Sequence, residues 1–151
     1  MTAANQIRER IQVESVTDRE TLKSFRGHIL LVEDDASLAR LEANILAAQG
    51  YVITQVESGE LAIDTLHETI PDLVLLDLEL PGAVNGWDVL KALRAYAGTS
   101  TTPVLLTSAE SGTKKQIRTR GENRSTLDHL PKPYPIQTLL KRIERMLDMT
   151  P

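Results

Sequence analysis

Cysteine is absent from the 151 residues. Disulfide frameworks, zinc–thiolate centres and thiol nucleophiles are therefore excluded. No apolar run approaches the roughly 20 residues of a membrane span, and no charged-then-apolar start marks a signal peptide. A soluble, cytoplasmic protein with no membrane partner is the expectation. Aromatic side chains that could stack on bases are missing from the most basic stretch, residues 111–126, so nucleic acid ranks last among partners for it. Internal repeats and low-complexity segments are also missing, which leaves an ordinary globular chain of about one domain.

What is present is a core-forming composition, 41% hydrophobic, and an uneven charge. The formal net charge is −4. Residues 28–110 carry 13 acidic and 3 basic residues, a balance of −10, whereas residues 111–151 carry 4 acidic and 9 basic residues, a balance of +5. An acidic body with a basic last quarter suits an acidic metal site with a separate docking surface better than bulk DNA binding.

The stretch Asp72-Leu73-Val74-Leu75-Leu76-Asp77 organises the chain. A short apolar run with polar ends reads as a strand buried on both faces of a parallel sheet, and Pro81-Gly82 stops it. Similar runs occur at His28–Val32, Tyr51–Val56, Thr102–Thr107 and Leu127–Leu130. Tyr51–Val56, with its polar members, suits an edge. Helical periodicity fills the intervals. From Ala36, residues Leu38, Leu41, Ile45 and Leu46 share a face. From Gly59 to Ile70, residues Ala62, Ile63 and Leu66 point inward. From Gly86 to Ala97 the stripe is Val89, Leu90, Leu93 and Ala97. The final helix carries Ile136, Leu139, Leu140, Ile143, Met146 and Leu147. Five strands alternating with five helices predict an α/β, doubly wound parallel sheet with helices on both faces. Residues 1–27 read as a helical extension or linker. Ile7, Ile11, Val16, Leu22 and Phe25 form a thin apolar stripe, Thr17–Glu20 fits a capping box, and a dimer or partner contact through the stripe is the sharper alternative. Residues 28–149 form the main domain. Nothing follows the fifth helix, so no attached effector domain is expected.

In a parallel sheet all carboxyl ends lie on one edge, where ligands bind. Glu33 and Asp34 follow the first strand, Asp77 ends the third, Thr107 ends the fourth and Lys132 follows the fifth. Crowded carboxylates raise one another's pKa values, and a hard divalent cation such as Mg²⁺ relieves this with oxygen ligands. An ammonium at Lys132 and a hydroxyl at Thr107 complete a phosphoryl-transfer site with Asp77 as nucleophile.

Ile29–Asp35, Pro71–Asp77, Leu80-Pro81-Gly82, Pro103–Ser108 and Leu130–Pro133 together resemble the receiver domain of two-component response regulators. The resemblance covers about residues 28–148. It implies a flavodoxin-like five-stranded sheet of order 2-1-3-4-5 in a stand-alone receiver, and the following roles. Asp77 is the phosphoacceptor, taking a phosphoryl group from a phosphohistidine on a histidine kinase or phosphotransfer protein. Asp34 is a direct Mg²⁺ ligand, Glu33 acts through water, and the Glu79 backbone carbonyl is a third protein ligand. Thr107 turns toward the phosphoryl group, Lys132 pairs with one of its oxygens, and Pro133 follows a peptide bond that is often cis. Output is then a downstream protein contact, with a homodimer possible; such a domain assists its own phosphorylation and dephosphorylation but is not an enzyme in the ordinary sense.

Three departures stand out. The loop from Pro81 to Gly86 is one residue longer than the family pattern. His129 stands where a switching Tyr or Phe is usual, and could titrate near neutrality. The stretch from Ser111 to Asp128 is about three residues longer and basic, which suits a solvated surface first and partner docking second. Blander readings belong to other residues: Asp35 as a helix cap, Trp87 as packing, His28 and His67 as surface residues, and Ser108 as a small residue leaving room for the phosphoryl group. Two rival functions remain. One is a receiver-like scaffold without phosphorylation. The other is a Mg²⁺-dependent aspartyl-phosphate phosphatase, disfavoured because the best nucleophile is not on the first strand.

Overall fold

The computed structural model describes residues 25–149, so the readings of residues 1–24 lie outside the described residues. Strands and helices alternate as β1 (Gly27–Val32), α1 (Ala36–Ala48), β2 (Tyr51–Val56), α2 (Gly59–Glu68), β3 (Leu73–Asp77), α3 (Gly86–Ala95), β4 (Val104–Ser108), α4 (Thr113–Arg120), β5 (Leu127–Pro131) and α5 (Ile136–Asp148). The strands form one sheet of order β2-β1-β3-β4-β5, and all four pairings are parallel. This is the doubly wound, flavodoxin-like fold expected from the sequence, with β2 and β5 at the edges.

Every residue of β1, β3 and β4 is buried, which is why these runs are apolar without alternation. Strand periodicity sorts their side chains between two cores. Leu30, Val32, Val74, Leu76, Val104 and Leu106 face α2 and α3, while Ile29, Leu31, Leu73, Leu75 and Leu105 face α1 and α5. Helix starts are set locally. The Asp35 carboxylate accepts from the Ser37 and Leu38 backbone N–H groups, the Ser58 hydroxyl accepts from Leu61, and Asn85 with Asp88 forms a reciprocal capping box. Gly86 opens α3 directly against the end of β3. A Cβ there would lie 2.5 Å from the Asp77 carbonyl oxygen, so only glycine permits this approach.

Four sequence expectations need correction. Leu41 does not join the inward face of α1; it is 51% exposed, and the buried residues are Ala39, Glu42 and Leu46. Small Ala39 sits at the sheet, and Glu42 turns inward beside Tyr134, a polar contact that hydrophobic periodicity cannot show. Helix α2 ends at Glu68 rather than Ile70, because the residue before Pro71 is disfavoured in helical conformation. Helix α3 ends at Ala95 rather than Ala97. Its backbone turns extended at Tyr96, and the Thr99 hydroxyl ties the exit to the Leu93 carbonyl at 2.8 Å. His28 is 1% exposed, not a surface residue. Strand β1 begins one residue before it, its ring Nε2 lies 2.7 Å from Thr54 Oγ1, and its backbone N–H donates to Asp72 at 2.7 Å. His67 is exposed as expected, edge-on to Tyr96.

Candidate functional site

The carboxyl edge of the sheet gathers residues that are up to 99 positions apart. Lys132 Nζ, just past β5, donates to Glu33 Oε1 at 3.1 Å and to Asp77 Oδ2 at 3.2 Å. Asp77 Oδ1 accepts from the Glu79 backbone N–H at 2.9 Å. Carboxylate oxygens of Glu33, Asp34 and Asp77 lie within 4.8 Å of one another. Glu33 and Asp77 are buried whereas Asp34 is exposed, so the cluster opens to solvent on the Asp34 side. Thr107 is buried and stands in register with Asp77 on the neighbouring strand. The Lys132–Pro133 peptide bond is cis.

The crowding shows in the titration of the cluster. Burial, then the hydrogen bond and charge of Asp77, push the Glu33 carboxyl up to about 8, with Lys132 opposing. Burial also works to raise Asp77, but Glu33, the Glu79 N–H and Lys132 outweigh it and hold Asp77 below its ordinary value. Burial acts to lower Lys132, and Glu33 and Asp77 reverse this and raise it. The two carboxyls are thus driven apart, Glu33 toward its protonated form and Asp77 toward its ionised form. Three hard oxygen donors in one opening, one of them holding a proton that a cation would displace, fit a small divalent ion such as Mg²⁺.

Three features escaped the sequence reading. The first is the Glu79 side chain. Leu78 and Leu80 are buried on either side of it, which turns the carboxylate toward the loop after β4. There Glu79 Oε1 accepts from Ala109 N at 2.7 Å, Glu110 N at 3.1 Å and Ser108 Oγ at 3.2 Å. The alternation Leu-Glu-Leu was the available signal. The second is Glu42, 2% exposed. Burial pushes its carboxyl up to about 7, while Tyr134 and Lys132 oppose. Burial and Glu42 raise the Tyr134 hydroxyl in turn. The third is Arg94 on α3, which reaches the Thr102 carbonyl at 2.8 Å, the Thr126 carbonyl at 3.0 Å and the Glu122 carboxylate at 3.5 Å. It clamps the long basic segment to the body.

That segment carries a short helix, α4, which completes the five helices that the alternation predicts. Arg120 on it lies over the Trp87 ring, 4.1 Å from the centroid. Between α4, β5 and α5 runs a groove of about 550 Å³. His129 lines this groove and not the cavity beside the carboxylates. Burial, then Lys114, hold its pKa below the ordinary 6.5.

An α/β sheet with an acidic edge, an ionised aspartate and a bridging lysine defines a receiver-type signalling domain. Comparison with known proteins agrees. The response regulator receiver domain family matches over residues 29–144, and the chain belongs to that family. It is 35% identical over 126 residues to the DNA-binding response regulator MtrA of Mycobacterium tuberculosis, covering 83% of this chain and 53% of that protein. It is 39% identical over 119 residues to the transcriptional regulatory protein CpxR of Escherichia coli, covering 79% and 48%. The chain therefore spans about half the length of these relatives. Among solved structures, a response regulator from Chloroflexus aurantiacus superposes with a TM-score of 0.71 at 30% identity, covering 81% of this chain and 98% of that one. The receiver domain of a sensor histidine kinase from Pseudomonas aeruginosa, described with a magnesium ion coordinated in its active-site cleft, superposes with a TM-score of 0.71 at 26% identity, covering 81% and 98%. No helix among the described residues is long and apolar enough to cross a membrane.

Proposed function

We propose that this chain is a phosphoacceptor switch of a two-component or phosphorelay system, with Asp77 as the accepting residue. The observation that carries this reading is the Lys132 ammonium bridging buried Glu33 and buried Asp77 at 3.1 and 3.2 Å, with Asp77 held ionised. An Asp77 oxygen attacks the phosphorus of a phosphohistidine on a histidine kinase or phosphotransfer protein. The P–N bond breaks as the P–O bond forms, and the imidazole nitrogen leaves with the electron pair and takes up a proton. Lys132 neutralises charge on the transferred group, and Thr107 offers it a hydroxyl donor. Asp34, Asp77 and the Glu79 carbonyl would hold Mg²⁺, with Glu33 acting through water, and the ion when bound neutralises phosphoryl charge. The protein's own part is to keep Asp77 ionised and to aim it.

The output is a protein contact at the groove between α4, β5 and α5. Lys114, Arg118, Arg124, Arg142 and Arg145 line it against one acid, Asp128, over a floor of Ile117, Leu127 and Met146. Lys114, Arg118 and Arg124 have no ion-pair partner among the described residues. Pairing this groove with itself across a two-fold axis sets five cations against five. A negatively charged partner suits it better.

Acetyl phosphate with Mg²⁺, read by intact mass, tests the acceptor. A single phosphoryl adduct is expected, stable to acid and labile to base, and absent in Asp77→Asn. An unmodified wild-type chain favours the scaffold reading, and an adduct that survives the substitution rules Asp77 out as the acceptor.

A further inference from the structure

The loop after β4 contains an anion cradle that is already filled. Two successive backbone N–H groups, Ala109 and Glu110, and the Ser108 hydroxyl converge on one oxygen of Glu79 at 2.7, 3.1 and 3.2 Å. Convergent backbone N–H groups of this kind bind anions. The other Glu79 oxygen is buried with no hydrogen-bond partner among the described residues, a poor use of a carboxylate unless another state of the protein relieves it. Glu79 is two residues beyond Asp77 and cannot drift from it, because its own N–H is bonded to Asp77 Oδ1 and Leu78 and Leu80 anchor the backbone.

We propose that the Glu79 carboxylate is a resident latch on the 108–110 loop, and that a phosphoryl group on Asp77 expels it. This rests on the phosphoacceptor reading. A phosphoryl group brings about −1.5 to −2 charge to Asp77, whose Oδ1 is bonded to the Glu79 N–H, and the Glu79 carboxylate shares a partly buried cavity with Asp34, Leu78, Ser108 and Trp87. Repulsion in such a setting is poorly screened. The expelled side chain gives up three hydrogen bonds, and its donors become free to meet phosphoryl oxygens. Thr107 directly precedes those donors, so release of the loop lets its hydroxyl turn to the phosphoryl group. The latch also reaches the output groove. Ser108 Oγ lies 3.0 Å from Thr113 Oγ1 at the head of α4, and α4 carries Lys114 and Arg118. Glu79, Ser108 and Thr113 thus form a hydrogen-bonded chain from the site to the helix. Glu79 is a positioning residue here, holding the loop rather than touching the reacting atoms.

Beryllofluoride with Mg²⁺, titrated into the full chain and followed by Trp87 fluorescence and by the amide resonances of Ala109 and Glu110, tests the latch. Both resonances should move in the wild type, and in the same direction as Glu79→Ala moves them without beryllofluoride. Glu79→Gln, which keeps size and an acceptor oxygen but removes the charge, should bind beryllofluoride at least tenfold more tightly than wild type, with no gain in affinity for Mg²⁺ alone. A merely structural Glu79 would show no such gain. Resonances that stay fixed while the adduct forms, or an affinity unchanged or lowered in Glu79→Gln, overturn the latch and leave the phosphoacceptor reading standing. A wild-type chain that takes neither beryllofluoride nor acetyl phosphate overturns both.

Discussion

The acidic edge and the basic groove lie on neighbouring parts of one sheet and are built in opposite ways. Residues of the acidic edge are scattered through the sequence from Glu33 to Lys132, yet each occupies a strand end, so the sheet alone assembles them. Glu33 and Asp77 are buried and both are met by Lys132, while Asp34 faces solvent. The groove draws most of its cations from adjacent stretches, Lys114 to Arg124 and Arg142 to Arg145. Its shape nevertheless depends on distant contacts, since α4 has no side-chain cap at its start and left-handed glycines, Gly112 and Gly121, at both ends. A site fixed by strand register is robust chemistry, whereas a surface held by a few long side chains is free to move when its clamps change.

Arg94 is the test that should separate the two most sharply. It ties α3 to the 121–126 segment through the Thr126 carbonyl and Glu122, and it also reaches the Ser100 and Thr102 carbonyls. Arg94→Ala removes the charged donor from all of these acceptors, although the Thr126 carbonyl keeps the Val104 N–H at 2.8 Å, and should cost about 1.5–3 kcal/mol in urea unfolding. Limited proteolysis should shift to residues 121–126. Adduct formation at Asp77 should persist, because no strand end is touched. Loss of the adduct in a folded Arg94→Ala protein would show that the two regions are one unit.

The same contrast decides what could be read before the structure. The Asp34, Asp77, Thr107 and Lys132 positions follow from strand ends, and strand ends follow from apolar runs that stop at polar residues. Edge placement of β2 and the α5 stripe were legible for the same reason. Glu42 was not, because a carboxyl on the inward face of α1 breaks the periodicity that identifies that face. The eye moves to Leu41 instead. Arg94 was not legible either: on sequence it is one more exposed helix cation, and its partners lie up to 32 residues away. His28 was misplaced by a single strand residue. Side chains whose role depends on one tertiary partner leave no periodic trace.

A second test concerns the acidic edge and its neighbour Glu42, through pH. In the unfolded chain both Glu33 and Glu42 titrate near 4.5, but in the fold they are raised to about 8 and about 7. Between those limits the folded protein holds protons that the unfolded chain has released, so stability falls as pH rises. Asp77, held low, acts in the other sense, and its contribution is lost only on acidification below its ordinary 3.8. Without divalent cation, urea unfolding should therefore be easier at pH 8 than at pH 6, by about 2 kcal/mol. Glu42→Leu should flatten the slope and raise stability at pH 8 by about 1–2 kcal/mol, as replacing a buried charge with a packed apolar side chain commonly does. Added Mg²⁺ should flatten what remains, since it displaces the Glu33 proton. A flat profile in the wild type would mean that the carboxyls are far better solvated than their burial indicates.

The smallest effect is expected in the groove itself, and its smallness is the point. Lys114 and Arg118 are four residues apart on α4, where like charges repel. Glutamate at the more N-terminal position converts that repulsion to an attraction. Lys114→Glu should therefore leave the fold unharmed or stabilise it by about 0.2–0.5 kcal/mol, with phosphorylation of Asp77 unchanged. Its effect should appear only in binding. An acidic synthetic peptide with a leucine stripe should bind the wild type with an affinity that falls steeply with salt, and that slope should be shallower in Lys114→Glu, because one fewer close charge pair is screened. Cations kept at a cost to their own helix point to a partner that uses them. If the variant bound the peptide as tightly as wild type at every salt concentration, the cations would be ordinary solvated surface, and the output of the switch would have to be sought on another face of the sheet.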